Sequence, residues 1–166
     1  FDHSWTLLSA EEQSVFAGCS VFRGGFTREA AAEVAGASLP ILAALADGRS
    51  ELTGVLHSQD TQVMLNSLSR LGLRVKSDAS KDRCSVVGCS GGFSQPEVDL
   101  WLQNSGTSIR FLTSLCALGS GQYRLDGVER MRQRPIGDLV RALQPLGANI
   151  RYEVPDSDCP PIIVDG

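Results

Sequence analysis

The chain is poor in the residues that build metal and redox sites, and those it has fall in no useful order. Its two histidines, His3 and His57, are not near the cysteines in sequence, and Cys84 and Cys89 lack the two-residue gap of a zinc or redox pair. The odd set Cys19, Cys84, Cys89, Cys116 and Cys159 fits no recognised spacing and reads as reduced thiols in a cytoplasmic protein. No apolar run approaches membrane-spanning length, and no secretory signal heads the chain. Positive charge does not predominate. Fifteen Lys and Arg against 19 Asp and Glu leave a net charge of −4, which argues against a general nucleic-acid or anionic-membrane surface. A phosphate loop of the Gly-Lys-Ser/Thr kind is missing, and "GCSGG" (Gly88 to Gly92) lacks the dinucleotide spacing. An initiator methionine is missing too, so the opening at Phe1 implies a chain processed, trimmed or cut from something longer.

What remains is an ordinary globular composition, 42% hydrophobic and 20% charged over 166 residues, enough for one domain or part of a larger one. The first part reads as helices. "SAEE" (Ser9 to Glu12) is a capping box, and Thr27 can cap "REAAAEVA", which Gly36 would end. Pro40 is expected to interrupt the chain before "ILAALADG".

From about Ser50 strands and helices alternate. "SELTGVL", "LRVKS", "CSVVG", "QYRLDG", "NIRYE" and "PIIVDG" read as strands, and "CSGGFSQPE" as a loop. Asp60 is expected to N-cap a helix with Met64, Leu68 and Leu71 on one face and Gly72 as its stop. A second helix begins near Gly106 with Ile109, Leu112 and Cys116 inward. A third follows Pro135 with the stripe Ile136, Leu139, Val140, Leu143 and Leu146, ending at Gly147. "LSRLGLRV" (Leu68 to Val75) echoes "LQPLGANI" (Leu143 to Ile150): each is a helix end, a glycine stop and a strand. The echo is either a repeat of strand–helix units or the ordinary appearance of an α-to-β connection.

Two stretches carry chemistry. In "RMRQRPIGDLV", Arg130, Arg132 and Arg134 alternate, so an extended backbone would aim all three guanidinium groups one way, as phosphate or carboxylate requires. The other reading is a solvated basic surface. In "NSGTSIRFL", Gly106 allows close backbone approach at a helix start whose unpaired N–H groups attract an anion, with Asn104, Ser105 and Thr107 adding polar groups. Asp60 and Asp126 read as a cap and a turn residue rather than an acid–base pair, and Ser108 has no histidine at a triad spacing.

From about Ile41 to Gly166 the chain resembles enolpyruvylshikimate-phosphate synthase, the enolpyruvyl transferase of the shikimate pathway. The likeness rests on "ILAALADGRSELTGVLHSQDTQVMLNSL", "LWLQNSGTSIRFLTSL", "YRLDGVERMRQRPIGDLVRAL" and "DCPPIIVDG". The resemblance implies an α/β fold, an incomplete inside-out barrel of repeated strand–helix units preceded by a short helical segment. It implies transfer of the enolpyruvyl group of phosphoenolpyruvate to the 5-hydroxyl of shikimate 3-phosphate in aromatic amino-acid biosynthesis, with release of phosphate and without metal or cofactor. Gly106 matches the glycine of the family's loop against phosphoenolpyruvate, and Arg134 the arginine that binds the same ligand. Asn104, Thr107 and Arg110 fall in the same motif as supports, while Ser105, Ser108 and Phe111 depart from the commoner alanines and proline.

The family's Lys-Ser pair is absent. Counting back without gaps, Glu33 and Val34 stand at those positions and Ser38 at a following arginine. A carboxylate there would repel an anionic substrate, which leaves the catalytic residues unassigned. Residues 1–40 resemble instead the helical segment after the nucleotide-binding domain of bacterial STAND-type regulatory ATPases, chiefly through "SVFRGGFTREAA". The expected organisation is therefore a helical segment, 1–40, and a truncated enolpyruvyl transferase-like domain, 41–166. A fusion, a recombined gene fragment or an assembly chimera would each produce it. Three functions follow: a partial phosphoenolpyruvate site, inactive alone or completed by a second chain or self-association; a regulatory interaction module; or an inactive chimeric fragment. Neither nucleic acid nor membrane is an expected partner.

Overall fold

The computed structural model describes residues 38–90, 92–93 and 95–166. The capping box at Ser9, the helix at Thr27, and Glu33 and Val34 lie outside the described residues. Residues 38–45 are helical (α1), and Pro40 sits inside that helix rather than ahead of it. There follow β1 (Arg49–Thr53), α2 (Gln59–Arg70), β2 (Arg74–Asp78) and β3 (Arg83–Val87). Next come β4 (Glu97–Trp101), α3 (Gly106–Cys116), β5 (Gln122–Asp126), α4 (Gly137–Leu143), β6 (Asn149–Tyr152) and β7 (Ile162–Asp165).

The strands form two sheets. One has the order β1-β3-β2, antiparallel throughout. The other has the order β4-β5-β7-β6, in which β4 lies parallel to β5 and the other pairs are antiparallel. Parallel neighbours need a crossover, which α3 supplies. Strand β4 is not among the expected strands. "EVDLW" is a short alternation with Val98 and Leu100 buried and Glu97, Asp99 and Trp101 outward, following directly on a Gly/Ser/Pro loop.

The two sheets and their helices are copies of one plan. The order α1-β1-α2-β2-β3 repeats as α3-β5-α4-β6-β7, with β1-β3-β2 matching β5-β7-β6. The match reaches single atoms. The Gly88 N–H donates to Gly48 O at 2.8 Å, and the Gly166 N–H to Gly121 O at 2.9 Å. A β-carbon on Gly88 would stand 2.1 and 2.7 Å from the Ala46 and Ala43 oxygens; one on Gly166 would stand 2.5 and 2.6 Å from those of Gly119 and Cys116. In both units the last strand threads against the end of the first helix so closely that only glycine fits. The echo between Leu68–Val75 and Leu143–Ile150 is the same joint seen twice. Gly72 and Gly147 both take the left-handed conformation, at φ 89° and 101°, and each turns a helix into the second strand of its unit.

The units share one core. An apolar cluster runs from Ile41 and Ala44 through Met64, Leu68, Leu100, Leu112 and Leu125 to Ile162 and Val164. Helix α2 of the first unit packs on α3 and β4 of the second. The third helix departs from its expected stripe: α4 ends at Leu143 and continues as a 3-10 turn, Gln144–Leu146, and Leu146 is 82% exposed. The tighter turn rotates Leu146 off the buried face that Ile136 and Val140 occupy. No helix among the described residues is long and apolar enough to cross a membrane.

Left-handed glycines give a direct stability test. Around Gly147 a β-carbon would meet nothing within 4 Å, whereas at Gly72 it would stand 2.5 Å from Gln95 Nε2. Gly147→Ala should therefore lose only the backbone cost of about 1–2 kcal/mol, and Gly72→Ala that amount or more. Urea unfolding of the two variants measures both; a smaller loss at Gly72 would contradict the crowding there.

Candidate functional site

Each expected site residue is carried by a helix start or the segment just before one. Helix α3 is N-capped by Ser105, whose Oγ accepts from Ser108 N–H at 3.1 Å, and the N–H groups of Gly106 and Thr107 stand at its opening. Arg110, one turn on, folds back to donate from Nη1 to Gly106 O at 3.0 Å and from Nη2 to Pro135 O at 3.2 Å. It thereby ties the loop to the segment that carries Arg134.

Arg134 lies over the same opening. Its Nη1 donates to Asn104 O at 3.3 Å and would stand 2.7 Å from a β-carbon on Gly106. The structure thus brings Asn104, Ser105, Gly106 and Arg110 together with Arg134, 30 positions after Asn104 in sequence, and places half-buried Thr107 in the first turn. Asn104 Oδ1 is buried without a hydrogen-bond partner. A buried acceptor left in that state is costly.

The alternating-arginine expectation does not hold. Met131–Gln133 form a 3-10 turn rather than an extended strand, so the three arginines diverge. Arg132 turns to Asp126, with Nε to Oδ1 at 3.0 Å and Nη2 to Oδ2 at 2.7 Å. Arg130 is exposed. Of the three, Arg134 alone faces the loop.

Asp126, expected in a turn, is the last residue of β5 and is 1% exposed. Besides Arg132 it accepts from Arg124 Nη2 at 2.9 Å and from Gly127 N–H at 2.7 Å. Arg124 also reaches Glu153 Oε2 at 2.6 Å and Asp99 Oδ1 at 3.2 Å. This network pins the turn before Arg134 to the end of β5.

A second correction concerns Asp60. The N-cap of α2 is Ser58, whose Oγ accepts from Thr61 N–H at 3.2 Å, so Asp60 lies within the first turn of the helix. Burial pushes its carboxyl above the ordinary carboxylate range, against opposing pulls from the Ser105 hydroxyl and the Arg134 charge. Asp60 therefore belongs to the loop–arginine site, which the sequence reading missed. Ser108 joins the two helices: its Oγ takes a hydrogen bond from Ser105 Oγ at 2.6 Å and donates to Asp60 O at 3.3 Å. Gln59 Nε2 donates to Gln103 Oε1 across the same joint. Among the described residues no cluster of three or more His, Cys, Asp or Glu side chains could hold a metal.

The Asp126 network carries a pH signature. Burial works to raise its pKa, but the bonds from Arg132, Gly127 N–H and Arg124 outweigh it and hold the carboxyl below the ordinary range. A depressed folded pKa stabilises the fold above the unfolded value near 3.9, and the gain disappears as pH falls through the lower folded value. Asp126→Asn should cost about 3 kcal/mol at pH 7 and flatten the acid limb of stability. Urea unfolding from pH 7 to 3 tests this; an unchanged acid limb would remove Asp126 from that role.

Known proteins match the chain in sequence and in fold. Residues 32–166 match the family described as EPSP synthase (3-phosphoshikimate 1-carboxyvinyltransferase). The 3-phosphoshikimate 1-carboxyvinyltransferases of Paraburkholderia phytofirmans and Burkholderia vietnamiensis are each 50% identical over 113 residues, 68% of this chain and 26% of theirs. The chain thus spans about a quarter of the length of the curated relatives it matches. Among solved structures, the EPSP synthase of Acinetobacter baumannii matches with a TM-score of 0.73 at 22% identity, over 79% of this chain and 30% of that one. The enolpyruvyl transferase NikO of Streptomyces tendae matches with a TM-score of 0.52 at 20% identity, over 81% and 30%. These two likenesses show the fold, an incomplete α/β barrel of the enolpyruvyl-transferase type built from repeated strand–helix units. With four fifths of its length matched by the family and half of its aligned residues shared with named members, the chain belongs to the EPSP synthase family.

Proposed function

We propose that this chain carries part of an enolpyruvyl-transferase site, the part that grips phosphoenolpyruvate. The reaction served would move the enolpyruvyl group to the 5-hydroxyl of shikimate 3-phosphate and release phosphate. The observation that carries this reading is the Arg134 guanidinium held against Gly106 at the start of α3, 2.7 Å from where a β-carbon would be. A planar two-pronged cation beside the positive end of a helix matches a carboxylate or phosphate group, and Gly106 leaves room for both.

The roles divide by position. Arg134 pairs with the anion, the Gly106 and Thr107 N–H groups donate to it, and Asn104 meets it through the side-chain amide. Arg110 orients the loop by holding the Gly106 carbonyl. Asp60 stands against Arg134 and opposes excess positive charge. The remaining catalytic groups would come from the three quarters of the family's length that this chain does not span, supplied by a complementing chain or by further sequence. Glu33 in place of a lysine would leave the site one cation short.

Two titrations test the reading. In calorimetry with phosphoenolpyruvate, Arg134→Ala should lose an ionic contact worth about 1.5–3 kcal/mol, roughly 10- to 150-fold in affinity. Arg130→Ala removes the same charge away from the loop and should change affinity by less than about twofold. Equal affinity in wild type and Arg134→Ala would sink the assignment. Asp60 sets the pH dependence: as pH falls through its raised pKa the carboxylate loses its charge, and anion binding tightens. Asp60→Asn should bind roughly fivefold more tightly at pH 7 and lose that part of the pH dependence; a variant with the wild-type profile would contradict it.

A further inference from the structure

The two units share a strand plan but differ on the outward faces of their sheets. In the first, the strand registers set Ser85 at the middle of that face, with Glu51 beside it on β1 and Lys76 beside it on β2. In the second, Ile163 holds the middle place, between Arg124 and Arg151. Serine lacks the bulk with which isoleucine fills the centre. Over the first unit's sheet lies a cavity of about 240 Å³, and Ser85, 7% exposed, is its floor.

Charge differs between the units as sharply as volume. Around Ile163 both arginines are engaged by carboxylates: Arg124 by Asp99, Asp126 and Glu153, and Arg151 by Asp165. Around Ser85 the cavity is lined by four cations, Arg49, Lys76, Lys81 and Arg83, against two carboxylates, Glu51 and Asp78. Arg49 Nε donates to Glu51 at 2.6 Å, and Lys81 Nζ stands 3.3 Å from Asp78. Among the described residues no carboxylate lies at ion-pair distance from Lys76 or Arg83, both of which are exposed. Arg83 lies opposite Asp78 in the ladder, but that carboxylate is turned to Ser80 and Lys81. Arg49 Nη2 donates to Ser85 Oγ at 3.3 Å, which leaves the hydroxyl its own O–H to donate. Two positive charges thus stand uncompensated over a buried hydroxyl, in a chain whose net charge is −4.

We propose that this outward face holds a phosphate group, seated over Ser85 between Lys76 and Arg83. The surplus of two positive charges matches a phosphate's charge of about −1.5 to −2 near neutral pH. The planar prongs of Arg83, the ammonium of Lys76 and the Ser85 hydroxyl supply donors for its oxygens. Size limits the ligand. Pockets for drug-sized molecules run from roughly 300 to 1,000 Å³, so this cavity takes inorganic phosphate or the phosphate end of a small monoester. The seat is separate from the loop–arginine site. Helix α2 packs on the opposite face of the same sheet, through Leu65 against Cys84, and its first turn is what reaches that site.

The test is a titration of the full isotope-labelled chain with inorganic phosphate and, in turn, glycerol 3-phosphate at constant ionic strength. Amide shifts are followed residue by residue in nuclear magnetic resonance spectra, so binding at the opening of α3 is read separately at Gly106 and Thr107. Saturable shifts are expected at Lys76, Arg83 and Ser85, with a dissociation constant of roughly millimolar order. Lys76→Gln and Arg83→Gln should each weaken binding about three- to fivefold. Arg70→Gln removes an exposed cation outside the cavity and should change affinity less than about twofold. Ser85→Ile copies the second unit, fills the seat and keeps every charge; it should abolish the saturable shifts at Lys76 and Arg83. Tighter binding of the monoester assigns the seat to a phosphorylated metabolite, and tighter binding of inorganic phosphate assigns it to the free ion. The proposal is overturned if shifts near Ser85 rise without saturating or are confined to Gly106 and Thr107. It is equally overturned if Ser85→Ile binds as wild type does, or if neither glutamine variant in the cavity weakens binding.

Discussion

The site depends on two helices beginning against each other. Ser108 Oγ, inside the first turn of α3, reaches the Asp60 carbonyl in the first turn of α2 at 3.3 Å, and Gln59 meets Gln103 beside it. Because α2 belongs to the first strand–helix unit and α3 to the second, this contact is both the joint between the units and the floor of the site. Two helix starts side by side bring two positive dipole ends together, which is unfavourable unless negative charge sits between them. Asp60 supplies one such charge, at the cost of burial that raises its own pKa. An anionic ligand supplies another, so the electrostatics of the joint favour binding before any particular ligand is considered.

Arginine identity matters less here than backbone conformation. Arg130, Arg132 and Arg134 would act together on an extended chain, but a 3-10 turn has three residues per turn and throws alternate side chains apart. Asp126, nearly fully buried, fixes which one goes where. It takes both prongs of Arg132 and one of Arg124, which Glu153 and Asp99 also pair, and Arg134 is left as the one aimed at Gly106. The glycine and the carboxylate thus act on opposite sides of the same turn: Asp126 holds it down, and Gly106 leaves space for what it presents.

Much of this was legible in the sequence where local chemistry forces the residue. The glycine stops at Gly72 and Gly147 marked both helix ends because their positive φ excludes most other residues. Their matching leucines made the duplication visible as an echo. Gly106 and Arg134 were legible as a motif. Features set by tertiary contact were not. Asp60 looked like a cap because aspartate favours that place, yet Ser58 took the cap, and the partners that give Asp60 its character lie more than 40 positions later. Strand β4 was hidden by its brevity and the loop before it. Leu146 continued an apolar periodicity that the backbone itself abandoned at Gln144 and Pro145.

The charge arithmetic of the described site bears on how much of the proposed ligand it could hold. Phosphoenolpyruvate has two anionic ends, a carboxylate and a phosphate, and each needs cationic or N–H donors at once for tight, oriented binding. Arg134 and the N–H groups of α3 can satisfy one end. Arg110 turns one N–H to each of the Gly106 and Pro135 carbonyls, and Asp60 subtracts from whatever Arg134 offers. A ligand gripped at one end pivots about it, so its reacting carbon is not held in line with an acceptor hydroxyl. Oriented transfer then requires a second set of cationic or N–H donors at the ligand's other end.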